Sequence, residues 1–191
     1  MKAIVYTSQT GFTKRYAELL SEATGVPAWS AKEAAKQVAA HSEIFYMGCL
    51  VAGAVKGLDT AIERYVIRGV AIVGMNPTGN GDLWTEAKIN GGFSDHGARI
   101  FYLRGGYAPE KLRGIQKLLM RHMGRSVQKK IQAKGDAATK QDREMVEMFQ
   151  HGGDYVSRQA LDEVIQWFTE GPHDGMIDGL ADLYVEERIG V

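Results

Sequence analysis

The stretch that most constrains the fold is residues 3–13, Ala-Ile-Val-Tyr-Thr-Ser-Gln-Thr-Gly-Phe-Thr. Ala3 to Tyr6 is a short apolar run that reads as a buried strand. It breaks into Ser8-Gln9-Thr10-Gly11-Phe12-Thr13, and a helical pattern follows from about Thr13 to Ala23. A strand, a hydroxyl-rich turn with Gly and a helix together form a phosphate cradle. The first N–H groups of a helix have no partners within it, and they point at one spot together with the positive end of the helix dipole. Ser8, Thr10 and Thr13 add hydroxyl donors, and Gly11 lets the backbone come close. The plain alternative is a hydroxyl N-cap, which is common at helix starts. The chain has neither a G-x-x-x-x-G-K-[ST] loop nor a G-x-G-x-x-G after this strand, so triphosphate and dinucleotide fingerprints are missing. Hydroxyls and amides with little cationic charge suit one terminal phosphate monoester.

Further strands are expected at Val26–Trp29, Glu43–Met47, Gly69–Met75 and Arg99–Leu103. Helices are expected between them, from Lys32 to Ala40 with Ser30 as its cap, and from Asp59 or Thr60 to about Val66. These strands are apolar throughout rather than alternating, as in a parallel sheet buried on both faces. Right-handed crossovers make a doubly wound α/β sheet the simplest architecture. Ligands then bind beyond the carboxyl ends of the strands. The turns Thr7–Thr13, Gly48–Gly57, Asn76–Asp82 and Arg104–Tyr107 should therefore meet at one edge, with room for a nucleotide.

After Tyr107 the alternation stops. Pro109 to about Lys134 reads as one basic amphipathic helix or a broken pair, with apolar positions Leu112, Ile115, Leu118, Leu119, Met120, Met123 and Val127. From Arg99 to Lys134 there are ten Lys or Arg and one acid, Glu110, which is +9 in a chain of zero formal net charge. Thr139 caps a helix to about Phe149, Asp154–Val156 looks extended, and Ser157 caps a last helix to Phe168. Leu180–Arg188 in the tail is a further short helical pattern.

The first loop, Ser8-Gln9-Thr10-Gly11-Phe12-Thr13, together with the alternation resembles the flavodoxin-like family, whose phosphate loop is T/S-x-T-G-x-T. Tyr102-Leu103-Arg104-Gly105-Gly106-Tyr107, followed by a basic Leu/Met-rich helix, resembles the subgroup that includes the menaquinone-dependent protoporphyrinogen oxidases. The resemblance covers residues 1–170. It implies a flavodoxin-like, doubly wound, parallel five-stranded sheet of order 2-1-3-4-5, with a basic helical insertion at about 108–150 after strand 5 and a tail at 171–191.

It also implies FMN, with its phosphate on Ser8, Gln9, Thr10, Gly11, Phe12 and Thr13. The flavin ring would lie between Gly48-Cys49-Leu50-Val51-Ala52-Gly53 and Asn76-Pro77-Thr78-Gly79. Arg104, Gly105, Gly106 and Tyr107 would sit near the ring or its ribityl chain. Many flavodoxins stack a Trp from the second loop on the flavin, and this loop has none. A basic surround would raise the flavin's reduction potential, which fits exchange with a quinone. The implied activity is an oxidoreductase passing electrons from a donor such as a porphyrinogen to a quinone. The alternatives are a flavodoxin-type electron carrier, or an interaction module on this scaffold that no longer binds FMN.

Other residues carry weaker signals. Cys49, the single cysteine, reads first as a small buried hydrophobe and second as a redox group. Trp29 and Trp167 read as core, and Trp84 either covers the flavin or packs its loop. His41, His96, His122, His151 and His173 form no pattern with metal-ligand spacing. The basic segment 109–134 has three readings: a solvated helix with its apolar stripe on the sheet, a peripheral contact with an anionic membrane, or a homodimer interface. It lacks the interleaved aromatics of a single-strand nucleic-acid platform. No apolar run approaches the roughly 20 residues of a membrane span. The expected location is the cytoplasm, with the inner face of the cell membrane as the site of any peripheral contact.

Overall fold

A computed structural model describes residues 1–76 and 98–171. Its element order is β1 (Ala3–Thr7), α1 (Phe12–Thr24), β2 (Ala28–Ser30), α2 (Ala31–Gln37), β3 (Glu43–Val51), β4 (Ala54–Val55), α3 (Leu58–Arg64), β5 (Val66–Gly74), β6 (Arg99–Arg104) and β7 (Gly106–Tyr107), then α4 (Gly114–Lys134), α5 (Lys140–His151), β8 (Gly153–Asp154) and α6 (Asp162–Glu170). The fold is α/β with a mostly parallel sheet of order β2-β1-β3-β5-β6, and β4 is added antiparallel to the end of β3. β7 and β8 form a separate two-stranded ribbon.

The apolar strands are explained by burial on both faces. Val5 of β1 lies beside Tyr46 of β3, which lies beside Val70 of β5, which lies beside Ile100 of β6. These residues and their i±2 neighbours face one core with Ala34 of α2 and with Leu58 and Ala61 of α3. Ile4, Phe45, Met47, Ala71, Val73, Phe101 and Leu103 face the other core with Tyr16 and Leu20 of α1 and Val164 of α6. Side chains such as Ile4, Phe45 and Ile72 are fully buried, and each contributes about 1.5–3 kcal/mol. Trp167 packs edge-on against Phe101 and tilted against Phe45, at centroid separations of 5.8 and 5.6 Å. Trp29 is partly buried against the first core.

The helix starts follow local chemistry. Ser30 accepts from the Glu33 N–H at 3.3 Å while the Glu33 carboxylate accepts from the Ser30 N–H at 3.1 Å, which is a capping box. Thr139 and Asp142 repeat the arrangement at α5, with bonds of 2.9 and 3.1 Å. α1 stops at Gly25, whose N–H donates to the Ser21 carbonyl at 2.8 Å.

Several boundaries differ from the sequence expectation. β3 does not end at Met47 but runs on to Val51, because Gly48 and Cys49 stay paired with Ile72 and Val73 of β5 and β4 then folds back to pair Leu50 with Val55 and Val51 with Ala54. Gly48–Val51 is therefore strand, and the loop is reduced to Ala52-Gly53. α2 ends at Gln37, where Val38 turns to extended backbone and packs into the core. β5 already starts at Val66, which pairs with Glu43. β2 begins only after Pro27, which has no N–H for a ladder but accepts from the Ile4 N–H through its carbonyl. Pro109–Lys134 is a 3₁₀ turn at Pro109–Lys111, a break at Leu112-Arg113, and then the long helix. The extended residues near Asp154 pair with β7 as Gly153–Asp154.

The apolar stripe expected on 109–134 does not lie on the sheet. α4 packs on α5, and Leu112 and Met120 join Tyr107, Met148 and Phe149 in a third, small core.

Candidate functional site

The parallel strands end at one edge, where the β1–α1 turn, the β3–β4 hairpin, the end of β5 and the β6–β7 turn lie together. Two hydroxyls fix the first two. Tyr46 donates to the Lys56 carbonyl at 2.7 Å and accepts from the Thr7 hydroxyl, also at 2.7 Å. Burial, opposed in part by the Thr7 bond, pushes the Tyr46 phenol up to about 12. The end of β1 is thereby fastened to the base of the hairpin.

Within the turn, the Gly11 N–H donates to the Ser8 hydroxyl at 3.2 Å, which curls residues 8–11 back on themselves. Gly11 is the N-cap of α1 at φ 101°, a left-handed conformation that costs a residue with a Cβ about 1–2 kcal/mol. No side chain caps this helix, and no acid lies in its first turn. Its leading N–H groups therefore have no side-chain acceptor, as at the starts of α3 and α4 and in contrast to the two helices with capping boxes. Thr13 is buried in that first turn at 1 % exposure, while Ser8, Gln9 and Thr10 are half-buried.

The turn is not as poor in cations as its own sequence suggests. Lys111, about a hundred residues downstream, brings its Nζ to 3.8 Å from where a Cβ on Gly11 would sit and 5.9 Å from the Phe12 ring centroid. Gln116 of α4 accepts from the Gln9 side-chain amide. Arg15 of α1 pairs with Asp154 of β8. The segment after β7 therefore leans over the cradle and adds one positive charge to it. Sequence reasoning missed Lys111 and Gln116 as neighbours of the loop, because no local pattern encodes a contact across that distance.

At the second loop, Ala52 and Gly53 have φ of 50° and 81°, both positive, as a two-residue hairpin turn requires. Ala at the first of these positions is strained. Cys49 is paired within β3, and burial foremost pushes its thiol up, against the pull of Lys56 and of the Gln9 backbone. The thiol is therefore held protonated near neutral pH, and the residue is half-buried rather than part of the core. At the third loop, the Asn76 carbonyl accepts from the Tyr102 hydroxyl at 3.1 Å. Pro77, Thr78 and Gly79, together with Trp84, His96 and the rest of the long loop, lie outside the described residues, as do His173 and the tail from residue 172.

The fourth loop is turned toward the α4–α5 segment. Tyr107 packs tilted against Phe149 at a centroid separation of 5.4 Å, inside the third core. The Arg104 guanidinium lies 3.5 Å over the Tyr155 ring and 3.5 Å from the Glu144 carboxylate. Its Nε is buried without a hydrogen-bond partner among the described residues. The Arg104 carbonyl accepts from the buried Tyr16 hydroxyl at 2.7 Å, and the Gly105 N–H donates to the Gly74 carbonyl at 2.8 Å. The structure thus brings Ser8–Thr13, Gly48–Gly53, Asn76 and Gly105-Gly106 to one edge. It sends the side chains of Arg104 and Tyr107 toward the helical segment.

The donor set fits a phosphate monoester: hydroxyls and N–H groups of the turn, an uncapped helix start and the Lys111 ammonium. No protein-family model matches the chain, and no curated protein matches it.

Proposed function

We propose that this chain is an FMN-binding redox protein of flavodoxin-like architecture, with a basic helical insertion after the fifth parallel strand. The observation that carries the reading is the start of α1, uncapped, free of acids, entered through a left-handed Gly11 and overlooked by Lys111. The parallel strands, in the order β2-β1-β3-β5-β6, support the five-stranded 2-1-3-4-5 arrangement this reading requires.

Ser8, Gln9, Thr10, Gly11, Phe12 and Thr13 would hold the FMN phosphate through N–H groups and hydroxyls. Gly48–Gly53 on one side and Asn76–Gly79 on the other would flank the ring. Bound FMN supplies a ring that takes up and releases electrons or hydride. The chain's part is to hold it and set its electrostatics. The Ala52-Gly53 turn presents backbone carbonyls outside the strand ladder, where a hydrogen on the ring could be accepted. Lys111 and the cations of α4 favour added negative charge nearby and so raise the reduction potential. That supports a quinone acceptor and an organic donor, with a porphyrinogen as the donor the sequence resemblance implies. The Cys49 thiol is not needed.

Titrating the purified chain with FMN tests the reading. A shift of the flavin absorption bands and quenched flavin fluorescence are expected, with one equivalent bound. Replacing Thr10 and Thr13 together by Val should weaken binding at least about tenfold, since each lost hydrogen bond to a charged phosphate is worth about 1.5–3 kcal/mol. A chain that neither binds FMN nor holds it on purification would end the redox proposal. Anaerobic turnover of the FMN-loaded protein with protoporphyrinogen and a menaquinone analogue then separates an oxidase from a carrier. Porphyrin fluorescence above the uncatalysed background identifies the oxidase.

A further inference from the structure

The inner face of α4 is already occupied. Met120 packs into the third core, Gly124 lies against the Phe149 ring, and Val127 and Ile131 face Met145 of α5. On the opposite face, at i, i+3, i+4 and i+8, stand Ile115, Leu118, Leu119 and Met123, exposed by 83, 66, 63 and 40 %. Large apolar side chains do occur singly on surfaces, but four on adjoining turns of one helix face form a patch that marks an interaction surface. α4 carries six Lys or Arg (Lys117, Arg121, Arg125, Lys129, Lys130 and Lys134) and no Asp or Glu.

The distribution of these charges says what the patch meets. The apolar residues occupy the first half of the helix. On the same outward side in the second half, Lys129 and Lys130 replace them. Lys117, Arg121 and Arg125 run along the flank and line a cavity of about 220 Å³ against Tyr107 and Phe149. No carboxylate pairs with these three among the described residues. An apolar strip rimmed on one side and at one end by cations matches the boundary between acyl chains and anionic headgroups. It does not match a second copy of this chain, because a two-fold contact through this face would set cations against cations.

We propose that α4 is a docking face for an anionic lipid bilayer. Ile115, Leu118, Leu119 and Met123 enter the acyl boundary, and the flanking Lys and Arg meet lipid phosphates. No helix among the described residues is long and apolar enough to cross a membrane, so the contact lies on the surface. The apolar half of α4 is also the half whose Gln116 bonds Gln9 of the first loop. Docking would therefore hold the carboxyl edge of the sheet close to the bilayer plane, within reach of a lipid-soluble acceptor. The docking itself rests on the surface of α4 and does not depend on FMN.

The test is co-sedimentation of the full chain with phosphatidylcholine vesicles, either pure or containing about one third phosphatidylglycerol, at low and high salt. Three variants accompany it: Leu118→Asp with Leu119→Asp, the triple change of Lys117, Arg121 and Arg125 to Gln, and Leu119→Trp. All these positions are on the outer side or flank of α4, and thermal melts confirm that each variant is folded. Binding is expected only to the anionic vesicles, to fall with salt, and to drop at least about tenfold in both charge-altered variants. The emission of the Leu119→Trp variant, less that of the parent chain, should shift to the blue on binding. Absence of binding, equal binding to neutral vesicles, or full binding by the Leu118→Asp, Leu119→Asp variant overturns the proposal. So does a dimer in sedimentation equilibrium that this variant abolishes while no vesicles are bound. FMN titration is read separately, so loss of one result leaves the other standing.

Discussion

Tyr46 joins the sheet to its edge through a single oxygen, donating to Lys56 and accepting from Thr7 while its ring is fully buried. The same burial makes it a titratable stability element. Its phenol titrates near 10 in an unfolded chain and is pushed up to about 12 in the fold. Between these values the folded chain keeps a proton that the unfolded chain releases. The contribution is therefore fully present below pH 10 and is lost as pH rises through 12. Two units correspond to about 2.7 kcal/mol. Tyr102, half-buried and bonded to the Asn76 carbonyl, is likewise raised to about 12 by burial. Urea unfolding measured from about pH 8 to about pH 11.5 should show stability falling above about pH 10. Tyr46→Phe should cost about 1 kcal/mol at neutral pH through its lost hydrogen bonds, and its alkaline decline should be shallower than in the parent chain. An unchanged slope would mean that Tyr46 does not carry the alkaline loss.

At the level of the element, the helix starts divide by what lies in front of them. α2 and α5 begin with capping boxes and serve structure. α1 begins with a bare glycine at the edge of the sheet, as α3 does at Gly57, and neither start has a side-chain cap; α1 differs from α3 in having no acid in its first turn. The box at α5 also fixes the turn from α4, because Lys134 at the end of α4 pairs with Asp142 at 2.9 Å. Lys134 and the Thr139 bonds hold the Asp142 carboxyl below its ordinary range. The stability it adds is present above the unfolded carboxylate range and is lost as pH falls through the lowered value. Thr139→Ala should destabilise the chain by about 1 kcal/mol, with the loss confined to α5 and its junction. Thr139→Ser should restore most of it, which urea denaturation of the three proteins measures. Equal stability of all three would show that α5 is held by packing on α4 rather than by its cap.

Across the whole molecule, what could be read in advance was what is local. Uniformly apolar strands announced a sheet buried on both faces, Ser30 and Thr139 announced their helices, and Ser8–Thr13 announced the turn from β1 into α1. What stayed hidden depends on pairing at a distance. Gly48–Val51 looks like loop until β5 pairs its first half and β4 folds back on its second, and Lys111 looks like one of many surface cations until the chain returns it to Gly11. The stripe on 109–134 counts as one face in a periodicity, yet space divides it into Leu112 and Met120 inside and Ile115, Leu118 and Leu119 outside. That division also has a consequence for cooperativity. The sheet is held by two extensive cores, whereas α4 and α5 rest on a third whose buried residues are Tyr107, Leu112 and Met148. Regions with little buried apolar area open at lower free energy than the global transition. Hydrogen–deuterium exchange should therefore show α4 and α5 exchanging at least about a hundredfold faster than β3 and β5, a gap of about 2.7 kcal/mol. Met148→Ala should widen the gap by accelerating α4 and α5 while leaving β3 unchanged. Equal protection of both regions, or a Met148→Ala effect spread evenly over the sheet, would show that the helical pair unfolds only with the sheet.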